Sequence, residues 1–180
     1  MNDDIQTILY SEAKIRAACQ RLGKQLTHDY QGKKPLVICV LKGAVPFTAD
    51  LIKQMDLYMD IDFIDVSSYH GGTESSGEIQ MVKDIDEDVT GRDVLLVDDI
   101  VDTGNTLAYL KKLFAKRGAA SVQVCMLMDK PEARQIEGIS ADYVGFNVPN
   151  EFLVGYGLDY QGKYRNLPYV GILKPEIYQG

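Results

Sequence analysis

Cysteine is scarce in this chain of 180 residues: Cys19, Cys39 and Cys125 are the only three, an odd number with no CxxC pair. No Cys/His cluster is present that could hold zinc at a usual ligand spacing. Cys39 and Cys125 sit inside apolar runs and read as buried small hydrophobes, which points to a reducing, cytoplasmic setting. Histidine is scarcer still. His28 and His70 are the only two, and they lie far apart in the sequence. Long hydrophobic runs are also missing. The longest, Leu36–Leu41, is far too short to cross a membrane, and the acidic start Met1-Asn2-Asp3-Asp4 lacks the charged-then-apolar layout of a signal peptide. Positive charge is in deficit, with 19 Lys and Arg against 26 Asp and Glu and a net charge of −7. No basic face or tail is visible for general nucleic-acid binding. Three loop motifs are absent: the Gly-Lys-Ser/Thr that closes a Walker A loop, the GxGxxG of dinucleotide binding, and the GxSxG elbow of serine hydrolases.

What is present is ordinary globular composition, 46% hydrophobic and 25% charged, and a length that suits one domain over residues 1–180. Ile15, Cys19, Leu22 and Leu26 recur at helical spacing, with Ser11 as the N-cap. Leu36–Leu41 is a short continuous apolar run, as expected of a strand buried on both faces. Val45–Met55 reads as a helix and Ile61–Val66 as a second strand. Gly71–Gly77 has almost nothing to bury and reads as a mobile loop. Val94–Val97 is a further buried strand, followed by a helix from about Thr106 to Arg117 that stops at Gly118. Val122–Met128 and Asp142–Phe146 are the remaining strands. Strands alternating with helices indicate an α/β fold with a mainly parallel sheet flanked by helices. From Pro149 onward the chain is richer in Tyr, Gly and Asn and reads as a small irregular cap or hood.

One stretch carries most of the chemistry. "VLLVDDIVDTGNT", Val94–Thr106, brings a buried strand up to Asp98 and Asp99, places Asp102 three residues on, and then breaks into a turn of small residues. In an open parallel sheet, ligands bind beyond the carboxyl ends of the strands. Small residues at a helix start leave backbone N–H groups exposed, and the helix N-terminus carries partial positive charge. Thr103, Gly104, Asn105 and Thr106 thus make an anion cradle suited to a phosphate. The acids supply acceptors for hydroxyls or a metal ion. Together these suit a phosphorylated sugar: carboxylates on the ribose, the turn on the 5′-phosphate. The plain alternative is a helix-capping loop with solvated acids. Against it, buried strands seldom lead into clustered like charges without a use for them.

This stretch resembles the ribosyl-pyrophosphate-binding signature of the type I phosphoribosyltransferases. "VLKGAVPF" (Val40–Phe47), "SSYHGGTESSG" (Ser67–Gly77), "FLVGYGLDY" (Phe152–Tyr160) and "YRNLPYVGIL" follow in the order seen in the hypoxanthine-guanine phosphoribosyltransferases. The resemblance covers roughly residues 8 to 174. Val94–Thr106 alone marks the superfamily; Phe152–Tyr160 is the segment specific for 6-oxopurines. Asp98 departs from the pattern, since the family commonly has Glu there, one methylene longer.

The resemblance implies the type I phosphoribosyltransferase fold, a flexible lid near 69–80 and a purine-binding cap near 149–170. Lys42, which from the sequence alone either snorkels or meets an anion, would contact pyrophosphate with Gly43, and the Lys42–Gly43 bond is the one expected to be cis. Arg165, otherwise a solvated surface charge, would join them. Lys130, otherwise a surface lysine beside Pro131, would face the exocyclic oxygen of the purine and favour a 6-oxo over a 6-amino group. Phe152, otherwise core, would stack on the base while the Leu153 backbone reads its edge. Asp159, otherwise a turn residue, would lie near that edge and help place magnesium with Asp98 and Asp99. Ser68 and Tyr69, otherwise part of an exposed hairpin, would belong to a lid that excludes water.

The expected activity is conversion of hypoxanthine or guanine and 5-phospho-α-D-ribosyl 1-diphosphate into IMP or GMP and pyrophosphate, with Mg²⁺. Asp102 is the candidate general base. Two other readings stay open. One is a xanthine-preferring enzyme. The other is a non-catalytic regulator sensing the same ribosyl diphosphate, which would call for a DNA-binding segment and a basic surface. Dimers or tetramers are usual in the family.

Overall fold

The computed structural model of the chain describes residues 1–68 and 79–179. Among these residues nine strands and four α-helices follow in the order β1 (Ile5–Tyr10), α1 (Glu12–Asp29), β2 (Leu36–Leu41), α2 (Val45–Ile52), β3 (Asp60–Ser68), β4 (Ile79–Lys83), β5 (Asp93–Val101), α3 (Asn105–Lys116), β6 (Ser121–Asp129), β7 (Tyr143–Asn147), β8 (Leu153–Val154), β9 (Val170–Leu173) and α4 (Pro175–Tyr178). The larger sheet has the order β4-β3-β2-β5-β6-β7. It is parallel from β3 to β7, and β4 is added antiparallel at its edge.

Alternate side chains of each central strand feed opposite cores, as the pleat requires. Val37, Leu95, Val97, Cys125 and Leu127 meet Ile15, Cys19, Leu22 and Leu26 of α1 and Phe47 and Leu51 of α2. Leu36, Ile38, Leu96, Val124 and Met126 meet Leu107, Leu110 and Phe114 of α3. That double coverage explains the unbroken apolar runs in β2 and β5. Each fully buried large apolar side chain contributes about 1.5–3 kcal/mol. α1 begins at Ser11, whose hydroxyl accepts the Lys14 N–H at 3.4 Å. α3 ends before Gly118, which takes a left-handed φ of 84°.

Several expectations shift. α2 ends at Ile52, three residues short of Met55. β5 runs on through Asp98 and Asp99 to Val101, because β6 is equally long and continues the ladder through Asp98↔Met126 and Val101↔Asp129. The acids therefore stand within the last turn of the pleat rather than beyond it. The hood is more regular than its composition suggests. β8 and β9 pair antiparallel, and β1 joins β9 from the other end of the chain to complete a second, three-stranded sheet. The cis peptide bond is Leu41–Lys42, one residue before the bond expected. It falls at the junction of β2 and the following turn, and no proline marks it in the sequence.

Candidate active site

The carboxyl ends of β2, β5 and β6 open onto one cleft. Asp98 and Asp99 are adjacent and partly buried there. Asp98 Oδ1 accepts the Asp99 N–H at 2.8 Å and Asp99 Oδ1 accepts the Ile100 N–H at 2.6 Å, so both carboxylates are pinned to their own backbone. Burial, and then the neighbouring negative charge of Asp99, push the Asp98 carboxyl well above the usual range. Asp99 is also raised by burial, against the opposing effects of the Asp98 hydrogen bond and the Arg165 charge. Two like charges crowded in a poorly solvated corner favour a proton or a cation between them.

The turn expected to cradle a phosphate lies next to them. Gly104 is buried at φ 91°, ψ −2°, and forms the N-cap of α3 without any side-chain cap. The N–H groups of Thr106 and Leu107, in the first turn of α3, are therefore left for a ligand, while that of Asn105 is taken up within the turn itself. Asn105 donates its N–H to Thr103 Oγ1 at 3.3 Å, while the Thr103 carbonyl accepts from Gln135 and Ile136 at 2.9 and 3.3 Å. A cavity of about 220 Å³ is lined by Gly43, Asp98, Asp99, Asp102, Thr103, Gly104 and Thr106, together with apolar residues of β2 and β5. Asn105 does not line it. A larger cavity, about 520 Å³, lies elsewhere on α1 and α2, and Arg165 is the one candidate site residue in its lining.

Lys130 follows β6 directly and is only 8% exposed. A buried ammonium is costly unless paired, and its Nζ lies 3.7 Å from Asp102 Oδ2. Its own N–H donates to the Val101 carbonyl at 3.0 Å. The surface-lysine alternative thus gives way to a buried cation tied to the Asp102–Thr106 loop. Lys42 is exposed and has no ion-pair partner among the described residues. Gly43 is packed so closely that a Cβ there would collide with the Asp99 carboxylate, and a Cβ at Gly157, φ 101°, would collide with the Gly43 carbonyl. Arg165 donates to that same Gly157 carbonyl at 2.6 Å and pairs with Asp159 Oδ1 at 2.9 Å. Asp159 Oδ2 also accepts the Gly162 N–H at 2.7 Å.

Asp159 is therefore engaged by Arg165 and its own turn. Among the described residues no three acids, histidines or cysteines gather to hold a metal, so Asp98, Asp99 and Asp159 are not one cluster. Phe152 is partly buried, its ring stacked on Tyr178 at 4.7 Å with the edge of Tyr160 at 5.5 Å. Leu153 is buried in β8, opposite Ile172. Ser68 ends β3. Tyr69 and most of the lid expected at 69–80 lie outside the described residues, and 79 and 80 belong to β4.

Sequence reasoning passed over Arg134 and Asp129, a partly buried ion pair behind the phosphate loop. It also passed over Tyr156, whose hydroxyl donates to Asp50 Oδ2 at 2.7 Å. Tyr156 and Gly157 lay within a quoted segment, while nothing local singled out Arg134.

Comparison with known proteins bears on this geometry. Residues 6–161 match the family model described as "Phosphoribosyl transferase domain". A hypoxanthine-guanine phosphoribosyltransferase of Streptococcus thermophilus is 57% identical over 178 residues, covering 99% of this chain and 98% of that protein. A bifunctional TilS/HprT protein of Listeria monocytogenes is 57% identical over the same length, which is 27% of that longer protein. Among solved structures, a hypoxanthine phosphoribosyltransferase from Staphylococcus aureus superposes with a TM-score of 0.95 at 49% identity, covering 100% of this chain and 97% of the other. The hypoxanthine phosphoribosyl transferase of Trypanosoma cruzi gives a TM-score of 0.92 at 39% identity, covering 98% and 95%.

Proposed function

The chain belongs to the phosphoribosyltransferase family, in its hypoxanthine-guanine branch, and on that footing we propose how its cleft performs purine salvage. The reaction joins hypoxanthine or guanine to 5-phospho-α-D-ribosyl 1-diphosphate, giving IMP or GMP and pyrophosphate. The observation that carries the assignment of roles is the glycine-started N-terminus of α3, set beside two enclosed carboxylates at the carboxyl end of a parallel sheet.

The 5′-phosphate sits on the N–H groups of the Thr103–Thr106 turn, with the Thr103 and Thr106 hydroxyls as further donors. Asn105 helps shape the turn, its N–H donated to Thr103 Oγ1. Binding energy collected there, away from the reacting bond, orients the anomeric carbon. Asp98 and Asp99 take the ribose side. Purine N9 attacks the anomeric carbon, the bond to pyrophosphate breaks, and configuration inverts. Asp102 takes up the purine proton at the N7 side. Lys130, 3.7 Å from Asp102, places an ammonium where it meets a 6-oxo group and repels a 6-amino donor. The hood supplies the Leu153 backbone and the Phe152 ring to the base. Lys42 and Arg165 stabilise the departing pyrophosphate, and the Gly43–Gly157 contact keeps their two loops together.

Magnesium fits the acids. Asp98 and Asp99 are hard oxygen donors whose crowding favours a cation. A divalent ion held by one or two carboxylates plus substrate oxygens is the usual magnesium arrangement, and needs no third acid. When bound, it supplies positive charge to the diphosphate. Asp159 acts at a distance, by holding Arg165.

Self-association into a dimer or tetramer fits the exposure of Ile61, Phe63 and Val82 on the edge pair β3–β4, where isolated protein would leave apolar surface in water. Three free, buried thiols suit a cytoplasmic setting, and no helix among the described residues is long and apolar enough to cross a membrane. The deciding experiment is a base panel. Pyrophosphate release is measured with hypoxanthine, guanine, xanthine, adenine and uracil, each with and without magnesium. Turnover with the first two, dependent on the metal, is expected; turnover with xanthine alone, or none, would overturn the reading.

A further inference from the structure

The connection from β6 to β7 passes directly behind the phosphate cradle, and one side chain in it has no evident business there. Arg134 is 15% exposed at its side chain and pairs through Nη2 with Asp129 Oδ1 at the end of β6. Its other two donor nitrogens, Nε and Nη1, are buried and have no acceptor among the described residues. Buried guanidinium donors without partners are expensive, so a guanidinium kept there calls for a use beyond the ion pair.

Its neighbours indicate that use. Gly104 lies against the Arg134 stem: a Cβ at 104 would stand 3.0 Å from Arg134 Cδ and 3.7 Å from Nη1. The two residues after Arg134 donate their N–H groups to the Thr103 carbonyl. The first two residues of the cradle are therefore braced by this segment, Gly104 by packing and Thr103 by hydrogen bonds. The guanidinium thus lies against the start of α3, where its charge is of the same sign as the helix end, so that the two together favour an anion on the turn.

We infer that Arg134 is a positioning residue for the 5′-phosphate: it sets the Thr103–Gly104 backbone and adds positive charge behind it, so that the phosphate is bound more tightly than the turn alone would allow. The inference rests on the phosphate-loop reading above. Asp129 holds the guanidinium in place. Because Lys130 follows Asp129, the same short segment carries both the phosphate brace and the cation assigned to the base.

The test compares GMP with guanosine by calorimetry, because the ratio of their affinities isolates what the phosphate contributes. In Arg134→Gln the ratio is expected to fall about tenfold, the size of one charge-assisted interaction, while guanosine affinity changes little. Arg134→Lys, which keeps the charge, should recover part of the ratio. Since Arg134→Gln leaves Asp129 without its partner, the double variant Asp129→Asn/Arg134→Gln is the control for folding. It should regain thermal stability, followed by circular dichroism, yet keep the reduced ratio. A parental ratio in the folded double variant would reduce Arg134 to a structural ion pair and overturn the inference. So would equal losses for GMP and guanosine. A parent that binds both ligands equally removes the phosphate loop itself, and this inference with it, which distinguishes that failure from the failure of Arg134 alone.

Discussion

Replacing Gly104 with alanine tests the cradle at its tightest point. The perturbation has two parts. Gly104 has φ 91°, a left-handed conformation that disfavours a side chain, at about 1–2 kcal/mol. In addition, the new Cβ would stand 3.0 Å from Arg134 Cδ and 3.4 Å from Ile139 Cγ2. Neither neighbour yields freely. Arg134 is fixed by Asp129, and Ile139 packs against the core beneath α3. Overpacking of that kind costs about 1–3 kcal/mol. If the loop keeps its shape, the sum is about 2–5 kcal/mol of stability. If the loop relaxes instead, the cost moves to the ligand, and GMP affinity falls. Gly32 provides an internal control, since it has φ 77° but nothing within 4 Å of its Cβ position. Gly32→Ala should therefore show the conformational part alone. Urea unfolding of both variants, with GMP titrations of each, separates the two contributions. Should Gly104→Ala match Gly32→Ala in midpoint and bind GMP like the parent, the crowding around the cradle would be refuted.

Asp102→Asn keeps the loop shape but removes the basic oxygen, so single-turnover rates should fall roughly 10²–10⁴-fold with little change in ribosyl diphosphate affinity; turnover within a few-fold of the parent would leave Asp102 a loop-shaping residue. Asp99→Asn should show the opposite split, with a raised KM for the sugar substrate or for magnesium and a smaller effect on kcat, because its carboxylate lines the cavity and is the one proposed to take ribose and metal. Lys130→Gln removes the buried cation near Asp102 and should narrow the hypoxanthine-to-adenine ratio of kcat/KM; an unaltered ratio in folded protein would refute base reading by this side chain. Thr106→Ala should weaken ribosyl diphosphate binding in calorimetry by the loss of one hydroxyl donor, and an unchanged affinity would place the phosphate elsewhere.

The sequence by itself determined the local elements and the order in which they occur. Apolar residues at helical spacing from Ile15 to Leu26 marked α1, Ser11 marked its start, and Gly118 marked the stop of α3, because these signals act within one or two helical turns. The doubly buried strands β2, β5 and β6 were legible for a similar reason: an unbroken apolar run has few other places to go. The acids of β5 and the small turn after them were legible as neighbours in one cleft, since both lie on one continuous stretch. Tertiary structure decided what depended on register and on partners far along the chain. β1 completes the hood sheet only because Ile5 finds Leu173, and nothing within residues 5–10 announces that partner. Asp102 and Lys130 meet because β5 and β6 are paired with Val101 opposite Asp129; a different register would carry one of them out of reach. The same pairing set the length of β5 and drew Asp98 and Asp99 into it. Arg134 acquired its place behind Gly104, and Asp159 its engagement with Arg165, from loops brought together by separate strands. Periodicity and capping are short-range preferences of backbone and side chain, whereas register and loop apposition are settled by burial over the whole chain.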